Sequence, residues 1–234
     1  MEFTIVGSGD PFLHVQLQKG EKIQCESNSM VMMDATLELK GEMKGGFFSS
    51  VARKLANDES FFTQSIEAVG GTGDALLSPN LPGELMILNC TNGQQYKLND
   101  GVFLAASHNI DLKLKTQGIG QALFGGTGGF FITQTSGLGQ VVVTGFGTVY
   151  ELEVTPENPI IVDNYHVVAW EDQLDYELSL STKKGGFLGN LVNSMTSGEG
   201  IVNKFRGRGK VIICSRNRGA FVSWLGSQIV QKTS

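Results

Sequence analysis

The sequence predicts a mainly β protein built from three related modules, and three observations support that prediction. Thirty-one glycines stand against five prolines, and glycine accepts the positive φ that tight turns between many short strands require. Short runs of alternating apolar and polar residues recur along the chain, which is the period-2 pattern of half-buried strands. The third observation is that one order of motifs occurs three times.

Each copy of the repeated motif has an alternating strand, then an apolar strand, then Gly-x-Gly followed by a second apolar run. The alternating strands are 37–40, 112–115 and 178–181, and the apolar strands are 61–64, 130–134 and 201–205. The Gly-x-Gly elements are 71–73, 137–139 and 207–209. Because each Gly-x-Gly falls between two strands, it predicts a turn.

The triplication predicts a single structural unit with repeats at 1–92, 93–155 and 156–234. We expect three sheets around a pseudo-threefold axis that share one core. Helix is expected in three places only, namely 48–56, 186–195 and the C-terminal stretch 220–230. The last carries apolar residues at Phe221, Val222, Leu225 and Ile229, the spacing of an amphipathic helix.

Composition places the chain among ordinary globular proteins. Hydrophobic residues make up 41% and the mean hydropathy is −0.01, so disorder is not expected. The N-terminus has no basic stretch followed by an apolar run, and no apolar run approaches the roughly 20 residues that span a bilayer. Cys25, Cys90 and Cys214 lack C-x-x-C spacing, which favours buried thiols in a reducing cytoplasm.

The net charge of −5 conceals an asymmetry. Residues 1–182 hold 9 Lys and Arg against 22 Asp and Glu, whereas 183–234 hold 9 against Glu199 alone. If residues 204–210 form one strand, four basic side chains lie on one face of it, namely Lys204, Arg206, Arg208 and Lys210. The same third of the chain also contains Lys183, Lys184, Arg216 and Arg218. This basic edge could hold phosphates of lipid or RNA. It lacks interleaved aromatic residues, so we expect it to pair with the acidic part of the chain, within or between subunits.

A glycine-flanked apolar segment also occurs once in every repeat. The apolar residues of the three segments are Phe47 and Phe48, Phe130 and Phe131, and Phe187 and Leu188. Three such pairs would suffice to hold a sister subunit, a membrane surface or another partner. The alternative is that each segment folds back and caps its own sheet.

Two stretches of the chain resemble a known family. Residues 162–172, Val-Asp-Asn-Tyr-His-Val-Val-Ala-Trp-Glu-Asp, and 197–202, Ser-Gly-Glu-Gly-Ile-Val, followed by 207–209, resemble bacterial conserved proteins of unknown function. These are related to the fungal altered-inheritance-of-mitochondria protein of the mitochondrial inner membrane. The resemblance covers essentially the whole chain. It implies a fold similar to the tryptophan RNA-binding attenuation protein, a double-stranded β-helix of β-sandwich type, and it carries over no catalytic residue.

The sequence contains no recognisable catalytic, cofactor or metal motif. H-E-x-x-H, G-x-S-x-G, Walker A and paired C-x-x-C are all missing, and the three histidines do not share a repeat position. The Ser-x-x-Lys at 181–184 lies on a strand end, where we expect no catalytic role. An acidic cluster could bind Ca²⁺ or Mg²⁺, although a solvated strand face is the simpler interpretation; its members are Glu171, Asp172, Asp175 and Glu177.

We therefore expect a non-enzymatic, self-associating scaffold or binding protein that is cytoplasmic and forms homo-oligomers. We expect no small-molecule substrate, no cofactor and no nucleic-acid partner. Two alternatives remain open. One is a peripheral protein of anionic membranes, and the other is a cation-binding protein or enzyme that uses the acidic cluster near Asp172.

Overall fold

The computed structural model describes residues 1–42, 63–116, 131–180 and 201–230, and these form β strands and one helix. After β1 (Glu2–Val6), the strands fall into three consecutive sets of six. The first set is β2 (Phe12–Leu17), β3 (Lys22–Glu26), β4 (Met30–Met33), β5 (Leu37–Glu42), β6 (Thr63–Ala68) and β7 (Gly73–Leu77). The second set is β8 (Leu85–Cys90), β9 (Tyr96–Leu98), β10 (Phe103–Ser107), β11 (Ile110–Thr116), β12 (Phe131–Gly137) and β13 (Gly139–Thr144).

The third set ends in the helix. It comprises β14 (Val149–Val154), β15 (Ile160–Asp163), a 3₁₀ turn (Asn164–His166), β16 (Val167–Glu171), β17 (Asp175–Leu180), β18 (Ile201–Arg206), β19 (Gly209–Cys214) and helix α1 (Arg218–Val230). The mainly β fold and the C-terminal helix were both predicted, and both are confirmed. The predicted helices at 48–56 and 186–195 lie outside the described residues.

The strands form four antiparallel sheets. Their orders are β1-β2-β7-β4, β5-β6-β3-β10-β13-β8, β11-β12-β9-β16-β19-β14 and β15-β18-β17. Each six-stranded sheet therefore takes three strands from one set and three from the next, joined at β3–β10 and at β9–β16. The sequence predicted three sheets, and that number is wrong because every set contributes to two sheets.

The same pairing details recur in each set. The last strand of each set, β7, β13 or β19, lies between the third and the first strand of the same set. The third strands are β4, β10 and β16, and the first strands are β2, β8 and β14. The pairing with β4, β10 and β16 is interrupted after the first pair every time, at Met30/Met32, Phe103/Ala105 and Val167/Ala169. The predicted Gly-x-Gly turns are confirmed, since each separates two consecutive strands. Placement of the sets about a pseudo-threefold axis, and the repeat boundaries, stay predictions.

The first residue of the last strand in each set is a glycine held against the turn that follows the third strand. These residues are Gly73, Gly139 and Gly209. A Cβ on Gly139 would lie 2.8 Å from the Ser107 Cβ, and one on Gly209 would lie 2.7 Å from Glu171 Oε2. Gly139 also has φ +154°, a backbone conformation that residues other than glycine rarely adopt. Close packing, besides turn geometry, therefore requires glycine here.

The buried apolar residues form three clusters, whereas the sequence predicted one shared core. The first cluster includes Leu13, Leu17, Ile23, Ile66 and Leu77. The second includes Leu88, Leu98, Phe103, Ile110 and Val141, and the third Val154, Val162, Trp170, Leu174 and Phe205. Each cluster combines residues from two successive sheets, because the two faces of a six-stranded sheet point into different interiors and each pair of facing sheets encloses its own. The single-core prediction is wrong for that reason.

Gly139→Ala should destabilise the protein by about 1–3 kcal/mol, because the added methyl group overpacks the site and the backbone φ is strained. The measurement is the urea midpoint of unfolding. Gly93→Ala is the matched control, since a Cβ there meets nothing within 4 Å. Equal midpoints for the two variants would contradict the packing argument.

Candidate functional site

The predicted basic edge is not one strand. Lys204 and Arg206 lie on β18, Lys210 lies on β19, and Arg208 lies in the turn between them, where Gly207 has φ +103°. The two strands belong to different sheets. The single-strand interpretation is wrong because the positive φ of Gly207 reverses the chain within the predicted strand.

Acidic residues of neighbouring strands face these basic side chains. Lys210 Nζ lies 2.7 Å from Glu151 Oε1, and Arg206 Nη1 lies 3.7 Å from Glu177 Oε2. The hydrogen bond that Lys210 donates to Glu151 raises the pKa of Lys210. Both pairs are well exposed to solvent, where such contacts contribute little to stability. They nevertheless place negative charge beside the basic edge within the same chain.

The glycine-flanked apolar segments lie almost entirely outside the described residues. Their apolar residues outside the described ranges are Phe47, Phe48, Phe130, Phe187 and Leu188. Phe131 is the exception. It is half-buried at the start of β12, paired in register with Thr116. The three segments follow the fourth strand of each set, and the last described pairs before them are Glu42–Thr63, Thr116–Phe131 and Leu180–Ile201.

Side chains of the acidic cluster serve as hydrogen-bond acceptors. Glu171 is buried and accepts from Gln94 Nε2 and, at 2.9 Å, from Gln173 Nε2. Asp172 accepts from Gln134 Nε2 at 3.2 Å, and its carbonyl oxygen accepts from Lys97 Nζ at 2.8 Å. Within the four described ranges, no group of three or more His, Cys, Asp or Glu side chains converges as a metal site would require.

The histidines and thiols are placed in structural contacts. His14 Nε2 lies 3.0 Å from Asp74 Oδ1, and His166 Nδ1 lies 2.8 Å from the carbonyl oxygen of Cys214. The three cysteines are free and buried, as predicted. Burial raises the pKa of Cys25 to about 11, so this thiol does not form the reactive thiolate at neutral pH.

Exposed apolar side chains concentrate on β4, β15 and α1. On β4, Val31 is 54% exposed and Met32 41%, whereas β10 and β16 are buried throughout. Ile161 on β15 is 64% exposed. Sequence analysis missed β4 because Met30-Val31-Met32-Met33 does not alternate, and a short apolar run gives no indication of which side is covered.

Helix α1 exposes its apolar residues, although its spacing predicted a face packed on the core. Val222, Trp224 and Ile229 are about 60% exposed. Phe221 makes the contact with the body of the protein, its ring centroid lying 5.3 Å from that of Phe146. No helix in the described part of the chain is both long enough and apolar enough to cross a membrane.

Glu26 is a partly buried carboxyl group at the end of β3, where two sets join. Burial raises its pKa to about 7. Asn99 holds the equivalent place after β9, because Cys25 pairs with Ala105 as Leu98 pairs with Ala169. There the Asn99 amide donates to the carbonyl oxygen of Val167 at 2.9 Å. The position therefore favours an uncharged side chain.

The stability of the wild-type protein should fall as pH rises through 7, with a contribution from Glu26. A carboxyl group whose pKa is raised in the folded state contributes to stability, and this contribution is complete below about pH 4.5. It is lost as the pH rises from there through the folded-state pKa, by at most about 1.4 kcal/mol per pH unit. Glu26→Gln should flatten this decline in urea unfolding measured from about pH 5 to pH 8. Glu157→Gln, in an exposed turn, is the control; identical pH profiles for all three proteins would refute the assignment.

Comparison with known proteins agrees with the resemblance noted from sequence. The model of the family described as mitochondrial biogenesis AIM24 matches residues 3–216. An uncharacterised protein of Streptococcus pyogenes serotype M6 is 36% identical over 233 residues, covering 96% of this chain and 90% of the relative. A Streptococcus pyogenes protein solved by X-ray crystallography in a structural genomics programme is 31% identical with a TM-score of 0.79, covering 97% of this chain and 99% of that one. The chain therefore belongs to the AIM24 family.

Proposed function

We propose that this protein is a non-enzymatic, self-associating β scaffold of the cytoplasm, which works through contacts with other copies or partners. The observation that carries the proposal is the exposure of apolar residues on β4, β15 and α1. A soluble monomer gains nothing from large exposed apolar side chains grouped on one strand or helix, and such groups are typical of interaction surfaces.

The scaffold consists of three related modules about a pseudo-threefold axis, with the β4 edge of the first module and the β15 edge of the third not paired with each other. Recurrence of the strand order, the register interruption and the packed glycine supports three copies of one unit. A double-stranded β-helix similar to the tryptophan RNA-binding attenuation protein is consistent with sets of six antiparallel strands. This likeness concerns fold, and fold alone does not transfer the RNA-binding activity.

The apolar segments around Phe47, Phe130 and Phe187 supply a second group of contacts. Their support is that all three connect the fourth and fifth strands of a set. Fully burying one such pair of apolar side chains is worth roughly 3–6 kcal/mol. A sister subunit that covered three pairs would be held firmly.

The use of the polar groups supports a non-enzymatic function. His166, Glu171 and the cysteine thiols either hold hydrogen bonds to neighbouring residues or lie buried in the clusters. The basic edge faces acidic strands of its own chain, which favours a structural use of those charges over phosphate binding.

Sedimentation velocity should find an oligomer at micromolar concentration, since the exposed apolar surface is buried by association. Three proteins are compared: the wild type, a Val222→Ser/Ile229→Ser variant of α1, and a Gln228→Ala control on the same helix. A strict monomer in the wild type would contradict self-association. An oligomer unaffected by the helix variant would mean that the copies associate through the strands or the apolar segments and not through α1.

A second candidate function, peripheral binding to anionic membranes, is favoured by α1. Its exposed residues include Trp224, and Arg216 and Arg218 lie just before or at its start. Apolar side chains beside basic residues are the composition of helices that lie in a membrane interface. The membrane would cover the same helix that association covers, so the two candidates are separable by experiment.

If α1 inserts into membranes, anionic vesicles should shift the fluorescence of Trp224 to the blue and carry the protein upward in flotation. Trp170 is buried, so Trp224→Phe reports whether the shift comes from the helix. Neutral vesicles serve as the control. No flotation with anionic vesicles at low salt would rule out this candidate.

A further inference from the structure

We propose that copies of this chain join head to tail, with the β15 edge of one copy adding as an antiparallel strand to the β4 edge of the next. The inference rests on the proposed self-association and specifies its surface and its partner, a second copy of the chain. Strand addition satisfies backbone groups that an open sheet edge leaves to solvent.

The same join already occurs twice inside the chain. β3 pairs with β10 through Cys25–Ala105, Gln24–Ala106 and Ile23–Ser107. β9 pairs with β16 through Leu98–Ala169, Lys97–Trp170 and Tyr96–Glu171. In both cases the second strand of one set pairs with the third strand of the next, in one register. The geometry of this interface is therefore known in detail.

β4 and β15 are the two strands that this pattern leaves over. β4 is the third strand of its set and pairs with β7 on one side, and β15 is the second strand of its set and pairs with β18 on one side. Among the described strands, both are terminal in their sheets. Carrying the internal register across gives the pairs Val162–Met32, Ile161–Met33 and Ile160–Asp34 between two copies.

The exposure of these strands matches an interface that is open in the single chain. All residues of β10 and β16 are buried. Val31 and Met32 on β4 and Ile161 on β15 are among the most exposed apolar side chains of the described strands. Joining the two edges would cover apolar surface on both copies, as the internal joins do.

Side chains that cross the internal joins indicate what Ile161 would meet. Gln24 Nε2 donates to the carbonyl oxygen of Ile110 at 3.0 Å, and Lys97 Nζ donates to that of Asp172 at 2.8 Å. Both reach the turn after the third strand of the next set. Ile161 holds the equivalent place and has only an apolar side chain, so it would lie over the turn that follows β4 of the next copy.

β4 also lacks the charges that usually keep sheet edges apart. The edge strands β5, β11, β14 and β17 each carry two or more charged residues, whereas β4 and the edge strand β8 carry none. β15 carries Asp163 alone. Because the two surfaces differ, the join is heterologous, and successive copies form a ring if the rotation closes and a filament if it does not.

Mixing two single-cysteine variants tests the join directly. Met33→Cys and Ile161→Cys place thiols on a predicted cross-strand pair, where Cα atoms about 4.5–5.5 Å apart allow a disulfide. The native cysteines are buried. Under mild oxidation we expect a disulfide-linked dimer in the mixture, detected on a non-reducing gel, and none in either variant alone. In the control mixture, Tyr150→Cys replaces Met33→Cys and should give no dimer. Tyr150 lies on the β14 edge and is about as exposed as Ile161.

Several outcomes would overturn the join. Dimers of Met33→Cys with itself, or no dimer in the mixture while the wild type sediments as an oligomer, would reject this interface and leave self-association standing. A disulfide within one monomer of the double variant would show that the edges pair in one chain. A monomeric wild type would reject both proposals.

A second variant avoids dependence on disulfide chemistry. Ile161→Asp places a carboxylate at an exposed position of the single chain and opposite Met33 in the predicted join, where the charge would be desolvated without a partner. It should shift the wild-type oligomer toward monomer without changing the urea midpoint of the monomer. Tyr150→Asp should leave the oligomer intact, and equal sedimentation of both variants would refute the join.

Discussion

Backbone pairing at the sheet edges is the constraint on which the rest of this structure depends. A strand with one open side leaves a row of N–H and C=O groups that must be hydrogen-bonded to solvent or to another strand. The chain meets this requirement at β3–β10 and β9–β16, where one set of strands completes the sheet of the next. The three buried clusters follow, since each pair of facing sheets encloses one of them. The proposed contact between copies lies at β4 and β15, the sheet edges that the described pairings between sets do not use.

Much of the fold could be predicted from sequence because its signals are local. Alternation identifies strands such as β5 and β11, and Gly-x-Gly marks the turns before β7, β13 and β19, since both depend on a few neighbouring residues. Sheet membership depends on residues far apart in sequence, so the number of sheets and the single core were predicted wrongly. The basic edge failed for a related reason, because residues 204–210 alternate correctly while Gly207 reverses the chain.

The candidate surfaces were harder to predict than the fold. Spacing identified the apolar residues of α1, but spacing cannot tell a face that packs inside from one that faces solvent. For β4 the sequence Met30-Val31-Met32-Met33 has the composition of a buried strand, and only its position at the end of a sheet explains the exposure of Val31. The acidic and basic clusters were visible in sequence, yet their partners across β14 and β17 required the registers.

The sharing of sheets also determines how the molecule can be divided. In most repeat proteins a cut between repeats passes through a loop, and stability is a sum of units and their interfaces. Here a cut between the first and second sets would sever the β3–β10 pairing in the middle of a six-stranded sheet. No set is an independent domain, because unfolding of one set would remove three of the six strands from a sheet that it shares with the next set. Lengthening such a protein by duplication is correspondingly simple, because every added set brings both the strand it needs to attach and the strand to which its successor attaches.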